Sequence, residues 1–471
     1  MTRAWAAFAS QTVRSIVVLL AAFVIKAVLI FAVLPIVGQF GSSRYSMGFV
    51  DLYDQIANNL VQGIGYRVEP SMSETMIREP GYPFFLASVF RISGYHIEAA
   101  RLANLLLVCG IAWMMMRLTQ RVTDDRATML IATLLFIFHP GTLISEARGG
   151  VEVAFIFVVM LLMLALHRAM ERDTFTSYFV AGAGLGAAVL VRSTLLFFPA
   201  FLLVYLVLTA NGSRKRLKLT LNVAVLTFGM VVVLLPWMIR NYTLVHELVP
   251  TATVLGISAQ EGQYTCQRLS SGRDFSVLQT EAGQKRNELA SRLGVPFKGY
   301  YYQLFYTAQD EVAFNKSLLQ EVARQYRETP TLLARCVGQN LVNFWLLGKT
   351  HQTTWLNAVL EVPLLVLALG GVYVLGKRGR LQRMGIMLMF VSYVVAVHAP
   401  IIAHARYSIP VLPFLMIPVS VSLVSIWRAN RAQAVGIEHR ESTGYRTDAQ
   451  TGRSDVAIHN GACSSLRVPS P

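Results

Sequence analysis

Charged side chains that could do chemistry are few, and they lie in polar segments between apolar stretches. Asp51 and Asp54 share one such segment with the adjacent pair Arg78 and Glu79, and Glu152 lies in another. A carboxylate can remove the proton from an incoming hydroxyl group. An arginine binds phosphate oxygens through two parallel hydrogen bonds and stabilises the charge on a departing phosphate. These residue types predict transfer of a group away from a phosphate carried on a lipid.

Further candidates could bind the substrate or its lipid phosphate. They are Arg78, Glu79, Tyr82, Lys26, Arg192, Arg240, Asn241, Arg406 and Tyr407. A charge within a membrane is costly unless it faces a partner or a wet cavity, so several charges on one side predict a single polar chamber. Taken singly, each could instead be structural or reach to the interface. Lys26 lies within the first apolar segment. Its role there could be that of a counter-ion for an acid or of a contact to a lipid phosphate.

The sequence predicts no metal site, because its histidines are scattered. A divalent cation between Asp51 and Glu152 remains an open alternative. There is no Gly-rich phosphate loop and no H-E-x-x-H motif. Gly182, Gly184 and Gly186 lie within an apolar segment, where small residues predict close helix packing.

The composition is that of a membrane protein. Of 471 residues, 54% are hydrophobic and 14% are charged, and the mean hydropathy is +0.49. Such a chain is too apolar for a soluble domain of this size. The formal charge of +16 fits the basic loops that orient membrane proteins, so we expect no nucleic-acid partner.

Ten segments approach the roughly 20 apolar residues that a helix needs to cross a bilayer. They lie near residues 13–37, 97–117, 127–145, 150–168, 177–191, 194–209, 219–238, 355–375, 384–402 and 407–427. The fifth and sixth could form a broken hairpin. Lys and Arg collect in the loops on one side, which predicts that this side, with both termini, is cytoplasmic.

The predicted organisation has four parts and two interfacial helices, near residues 51–62 and 82–90. We expect two or three small helices in the outer-face domain, and the C-terminal tail lacks apolar periodicity. The parts are a transmembrane module at 1–238 with a catalytic outer loop at 39–96, an outer-face domain at 239–354, transmembrane helices at 355–427, and a disordered cytoplasmic tail at 428–471.

Two cysteines, Cys266 and Cys336, share the predicted outer-face domain. In an oxidising compartment they could form a disulfide. Two free thiols are favoured, because the sequence cannot show that their Cα atoms approach each other.

Over roughly residues 10–430, the chain resembles the multi-spanning glycosyltransferases of the GT-C fold that use lipid-phosphate sugars. Its likeness is to bacterial relatives of protein mannosyltransferase and of the aminoarabinose transferase that modifies lipid A. The motifs that carry it are Asp51-Leu52-Tyr53, Arg78-Glu79-Pro80-Gly81-Tyr82-Pro83, His139-Pro140, Arg192-Ser193-Thr194, Pro236-Trp237-x-x-Arg240-Asn241-Tyr242 and Arg406-Tyr407.

The resemblance implies an all-α polytopic GT-C bundle of about 10–12 transmembrane helices with interfacial helices and a small outer-face domain. It implies that Asp51 is the general base of an inverting displacement, with Asp54 in reserve. Glu152 matches a second-loop acid, and Arg240 and Arg406 are the choices for the lipid phosphate. The chain lacks the paired Asp-Glu of the protein mannosyltransferases, so an envelope lipid, a glycan and a protein stay open as acceptors.

We therefore expect an inverting glycosyltransferase that uses a polyprenyl-phosphate-linked sugar at the outer face of the inner membrane. The tyrosines at 300–302 could position the acceptor or anchor in the interface. One alternative is a transporter or flippase of lipid-linked sugars, although such proteins typically contain inverted halves that this sequence lacks. Another is a non-catalytic assembly subunit.

Overall fold

The computed structural model describes residues 16–36, 51–210, 212–299 and 302–448. Within these ranges the chain is helical, apart from one short hairpin of β1 (Phe297–Lys298) and β2 (Leu304–Phe305). The first part of the predicted outer loop, Tyr300, Tyr301 and the end of the predicted tail lie outside the described residues.

Helices at each of the ten predicted spans confirm the polytopic fold class. Among the described residues, seven candidate spans are long and apolar enough to cross a membrane, namely α1 (Ile16–Ile36), α4 (Ile97–Val122), α7 (Val151–Arg172), α10 (Ser213–Val245), α15 (His351–Lys377), Leu381–His398, which contains α16 (Gly385–His398), and Ala405–Gln433. An eighth would be the bent pair α5 (Arg126–Ile137) and α6 (Pro140–Ala147). The two shorter apolar helices are α8 (Phe175–Val191) and Ser193–Thr209, which contains α9 (Phe198–Thr209).

Both predicted interfacial helices are present, as α2 (Tyr53–Val61) and α3 (Gly81–Ser93). Helix α2 buries one face that includes Tyr53 and Ile56. The Tyr53 ring meets the Tyr82 ring of α3 edge to face, with their centroids 5.4 Å apart. The two helices therefore pack together and hold the segments that precede them, which carry the candidate acids and arginines.

Close packing of α8 against α10 depends on glycine, as predicted. A Cβ atom at Gly182 would collide with the backbone carbonyl oxygen of Leu226, and one at Gly186 would lie 2.8 Å from that of Met230. Gly184 has open space beside it. Only the glycines four residues apart share the contact face, as the helical period requires.

The predicted outer-face domain contains more helix than expected. Its described residues include the four helices α11 (Leu255–Arg268), α12 (Phe275–Arg292), α13 (Ala308–Glu328) and α14 (Pro330–Leu346). Helix α10 also continues to Val245, beyond the predicted boundary at 238. The outer faces of these helices are polar, so their apolar residues recur with a 3.6-residue period and do not form long apolar stretches. A search for apolar stretches alone therefore misses these helices.

The preference for free thiols was wrong. Cys266 of α11 and Cys336 of α14 form a disulfide with their Cα atoms 5.6 Å apart. This approach is a tertiary feature with no signature in the spacing of the two residues.

The chain divides into two compact units, residues 1–422 and 423–471. The last helix, α17 (Leu412–Asp448), continues beyond residue 428, where the sequence predicts a disordered tail. Residues 429–434 read Ala-Asn-Arg-Ala-Gln-Ala and contain no proline, and Ala, Arg and Gln are good helix formers. The polar composition of this stretch therefore does not end the helix.

Candidate active site

The residues of the predicted chamber come together at the ends of helices. Asp51 precedes α2, Arg78 precedes α3, and Glu152 lies in the first turn of α7. Arg192 separates α8 from a short 3₁₀ helix, and Arg406 lies in another 3₁₀ helix, Ala405–Val411. Four separate polar segments thus contribute to one site, because Asp51 and Arg78 belong to the same one.

Arg406 joins the two carboxylates at the centre. One of its terminal nitrogens lies 2.6 Å from Asp51 Oδ2, and its Nε donates to Glu152 Oε1 at 2.5 Å. A guanidinium presents both contacts because its donors are held in a rigid plane. Arg406 therefore lies where the sequence left open a divalent cation.

Asp51 has further partners on its other oxygen. Tyr302 donates its hydroxyl hydrogen to Asp51 Oδ1 at 3.1 Å, and a terminal nitrogen of Arg78 lies 3.8 Å from the same oxygen. Burial would raise the pKa of Asp51, but Arg406 and Arg78 outweigh it and hold this pKa well below its ordinary value. Asp51 is therefore ionised, and each of its carboxylate oxygens has a partner in the chamber.

The backbone at this acid is in an unfavourable conformation. Asp51 and Leu52 have φ angles of 72° and 68°, in the left-handed region that costs non-glycine residues about 1–2 kcal/mol each. The Nε of Arg78 donates to the Asp51 carbonyl oxygen at 2.8 Å and secures this turn. Strained residues of this kind cluster at functional sites.

Glu152 is held from three directions. Besides Arg406, it accepts a hydrogen bond from the Ser145 hydroxyl at 2.6 Å and lies 3.7 Å from a terminal nitrogen of Arg192. Gly150 leaves the room for this arrangement, because a Cβ there would lie 2.5 Å from Glu152 Oε2. The carboxylate is fixed by charge-assisted contacts rather than by solvent.

Access to the chamber is unequal among these side chains. Arg406 is 34% exposed, Asp51 19% and Arg192 16%, whereas Glu152 is 1% exposed. Lys349 adds a nearby cation whose pKa is lowered by burial, then by Arg148 and Arg406. The accessible groups are mostly cationic, which suits an anionic ligand.

Three predicted binding residues support the chamber from behind. Glu79 accepts hydrogen bonds from the backbone N–H of Ser193 at 2.9 Å and from its hydroxyl at 2.6 Å. The buried Tyr82 donates to the Gly149 carbonyl oxygen at 2.5 Å. The Tyr407 ring lies under the Arg192 guanidinium, 5.1 Å away. These contacts orient Arg192 and the turn before Glu152.

Asp54 lies one turn from Asp51 but has a different environment. It is buried and accepts a hydrogen bond from the Tyr95 hydroxyl at 2.5 Å. Burial raises its pKa above the ordinary value, although the Tyr95 hydrogen bond opposes this shift. Arg406 directs its contacts to Asp51 and Glu152 instead, so Asp51 is the better placed acid.

Three sequence candidates have other partners. The ammonium group of Lys26 lies 2.9 Å from Glu146 Oε1. Of the two roles considered for Lys26 from the sequence, this contact is that of a counter-ion, and it lies outside the chamber. Arg240 pairs with Glu74 at 2.9 Å and stacks on Trp237. The buried Asn241 donates to backbone carbonyl oxygens. Arg240 and Asn241 look like the chamber residues in sequence because they are polar and lie near the end of a span, and Lys26 does so because it is a charge within a span.

Sequence reasoning named the tyrosines at 300–302 only as a group, and Ser145 and Lys349 not at all. Tyr302 is far from Asp51 in sequence and reaches it only through folding. Ser145 is close to Glu152 in sequence, but a serine in a short polar segment has no pattern that marks it. Among the described residues, no group of three or more His, Cys, Asp or Glu side chains could hold a metal ion.

Residues 77–239 match the model of the family described as dolichyl-phosphate-mannose-protein mannosyltransferase. No curated protein sequence matches the chain.

Several solved structures are similar to this chain, and three of them are described here. The oligosaccharyltransferase AglB of Archaeoglobus fulgidus, in complex with an inhibitory peptide and a dolichol-phosphate, has a TM-score of 0.52 at 14% identity, over 95% of this chain and 53% of that chain. The apo form of the Archaeoglobus fulgidus oligosaccharyltransferase has 0.50 at 17% identity, over 89% and 52%. ArnT from Cupriavidus metallidurans, bound to undecaprenyl phosphate, has 0.38 at 16% identity, over 88% and 78%.

The chain spans about half the length of the archaeal enzymes, and at 14% and 17% identity the likeness is one of fold. The resemblance stated from sequence is confirmed at this level. The protein has the GT-C glycosyltransferase fold, and its residues 77–239 are similar to the protein mannosyltransferase family.

Proposed function

We propose that the protein is an inverting glycosyltransferase that moves a sugar from a polyprenyl-phosphate carrier to an acceptor hydroxyl at the outer face of the bacterial inner membrane. The observation that carries this proposal is the accessible Arg406 guanidinium between the carboxylates of Asp51 and Glu152. The acceptor is an envelope glycolipid, glycan or protein.

The reaction is a single displacement in which Asp51 acts as the base. The acceptor oxygen attacks the anomeric carbon of the sugar while the bond from that carbon to the phosphate oxygen breaks. Polyprenyl phosphate leaves with the electron pair, and the acceptor proton passes to Asp51. Arg406 and Arg192 stabilise the charge that develops on the departing phosphate.

The strength of Asp51 as a base depends on whether the donor is bound, because its contacts in the chamber stabilise its ionised form. With Arg406 and Tyr302 against its oxygens, the acid is too well stabilised to be a strong base. A donor phosphate competes for the Arg406 guanidinium. Its arrival loosens the contact to Asp51, raises the pKa of this acid and frees an oxygen for the acceptor.

Three further observations support the proposed location of residues 239–354 and the roles assigned here. The Cys266–Cys336 disulfide suits an oxidising compartment, in agreement with the outer side that the basic loops predict for residues 239–354. Tyr302 brings this segment against Asp51, which supports a role in positioning the acceptor. The similar AglB structure is a complex with a dolichol-phosphate, a lipid of the class proposed here.

Binding of undecaprenyl phosphate to the purified protein tests the phosphate site. We expect the lipid to raise the melting temperature of the wild-type protein, since a ligand at 100 times its Kd stabilises by about 2.7 kcal/mol. Arg406→Gln should lose this rise relative to its own baseline. Arg240→Gln, which removes a charge that pairs with Glu74, should keep it. A full rise in Arg406→Gln would contradict the assignment.

Turnover separates this proposal from a flippase. The purified protein would be incubated with undecaprenyl-phosphate mannose, glucose or aminoarabinose, together with envelope extract as acceptor. An enzyme releases undecaprenyl phosphate, whereas a flippase leaves the sugar bond intact. Envelope glycolipid and glycoprotein masses with and without the gene would identify the sugar and the acceptor.

A further inference from the structure

A groove of about 520 Å³ lies between α4 and α7, toward their C-terminal ends. Arg168 in this groove is 16 residues along α7 from Glu152, which corresponds to about 24 Å of helix. The groove is therefore separate from the chamber. Its lining consists of Trp113, Arg117, Gln120, Arg121, Leu164, Ala165 and Arg168.

Helical periodicity assembles this groove. Trp113, Arg117 and Arg121 are spaced by four residues, so they share one face of α4. Arg168 lies one turn beyond Leu164 on α7. The two helices approach closely at Gly110, where a Cβ would lie 2.6 Å from the Phe157 ring, and the groove follows this contact toward the helix ends.

Positive charge exceeds negative charge here. Arg121 pairs with Glu171 at 3.0 Å. The guanidinium carbon of Arg117 lies 5.4 Å from the centroid of the Trp113 ring. This contact with the ring face leaves the N–H groups of Arg117 able to donate to an acceptor. Arg168 is exposed and has no ion pair in the part of the chain that the structure describes. Three guanidinium groups thus face one carboxylate.

We propose that this groove binds the phosphate headgroup of an anionic phospholipid in the cytoplasmic leaflet. The basic loops place these helix ends on the cytoplasmic side. Trp113, Leu164 and Ala165 form an apolar wall for the glycerol and upper acyl chain, and the arginines bind the phosphate. Basic pockets between transmembrane helices on that side are suited to anionic headgroups.

General electrostatics is the competing explanation. Arginines at helix C-termini interact favourably with the helix dipole and orient the protein without selecting a lipid. That explanation predicts no dependence on which arginines are removed. A lipid site requires that Arg117 and Arg168 matter more than equal charges elsewhere on the same face.

The experiment uses the full-length protein in phosphatidylcholine vesicles that contain a minor fraction of brominated phosphatidylglycerol or brominated phosphatidylcholine. Bromine quenches tryptophan fluorescence at short range, and Trp113→Phe identifies the part due to Trp113. We expect selective quenching of Trp113 by the brominated phosphatidylglycerol. R117Q/R168Q should reduce this preference on the order of tenfold, while the matched variant R214Q/K215Q should retain it.

Three outcomes would overturn the proposal. One is equal quenching of Trp113 by both lipids in the wild-type protein. Another is an equal loss of preference in R214Q/K215Q, which would indicate general attraction to the anionic surface. The third is loss of quenching on adding soluble glycerol phosphate, which would assign the groove to a free phosphate. Unchanged melting temperatures of the variants exclude misfolding as the cause of lost quenching.

Discussion

Replacing Arg406 by glutamine should destabilise the protein by leaving Glu152 buried beside fewer partners. Breaking a buried ion pair by removing one side costs about 3–5 kcal/mol. Glu152 is 1% exposed but keeps Ser145 and Arg192, and Arg406 is itself one-third exposed. We therefore expect a loss of about 2–3 kcal/mol for Arg406→Gln, below the full range.

A double-mutant cycle isolates this contribution. Glu152→Gln alone should cost about 1 kcal/mol, because a neutral amide retains hydrogen bonds. The double variant E152Q/R406Q should be more stable than Arg406→Gln, because it contains no unpaired buried carboxylate. Melting temperatures in detergent, followed by tryptophan fluorescence, would measure all three variants.

Lys298→Gln is the control for charge removal alone. Lys298 pairs with Glu69 at the surface, where the lysine is exposed and the glutamate partly so, and a surface pair adds little to stability, so its loss should leave the melting temperature nearly unchanged. If Arg406→Gln is no less stable than Lys298→Gln, or if the two chamber substitutions add independently, the proposed coupling of Arg406 to Glu152 is wrong.

Three further predictions concern the fold and the acid. Gly182→Ala should lower the melting temperature because its Cβ meets the α10 backbone, whereas Gly184→Ala, with open space beside it, should be neutral or stabilising by up to about 1 kcal/mol; equal effects would contradict the packing. Replacing Cys266 and Cys336 by serine should cost about 4 kcal/mol for a loop of this length, and dithiothreitol should lower the wild-type melting temperature but not that of the variant. The stability that ionised Asp51 adds should be present at neutral pH and lost as pH falls below its ordinary pKa of 3.8 toward its lowered value in the folded protein. The difference in melting temperature between the wild type and Asp51→Asn should therefore shrink only below about pH 4. A change near pH 6 would contradict this account.

The fold was largely predictable, because a spanning helix needs a length of apolar sequence that is visible without any tertiary information. The acids at Asp51 and Glu152 were predictable for a related reason. Asp51 lies in the polar segment between the first two spans, and Glu152 opens a later span. A charge at such a position needs a partner. The helices of residues 239–354 were less visible, because their faces mix polar and apolar residues.

Pairing between distant residues was not predictable. Arg240 and Arg406 both follow an apolar segment and precede a tyrosine or lie near one, yet only Arg406 reaches the acids. Whether a guanidinium meets Glu74 or Asp51 depends on how the helices pack. The same limit applies to Cys266, whose partner could be identified only from the approach of two helices.

The most direct test of the central claim is turnover by Asp51→Asn. The purified variant and the wild-type protein would be supplied with the same undecaprenyl-phosphate sugar and acceptor, and release of undecaprenyl phosphate would be measured by mass spectrometry. Asparagine retains the shape of the side chain but cannot take the proton. We predict that release falls by at least about a hundredfold while the variant still binds undecaprenyl phosphate. Release at the wild-type rate would contradict the assignment of Asp51 as the base.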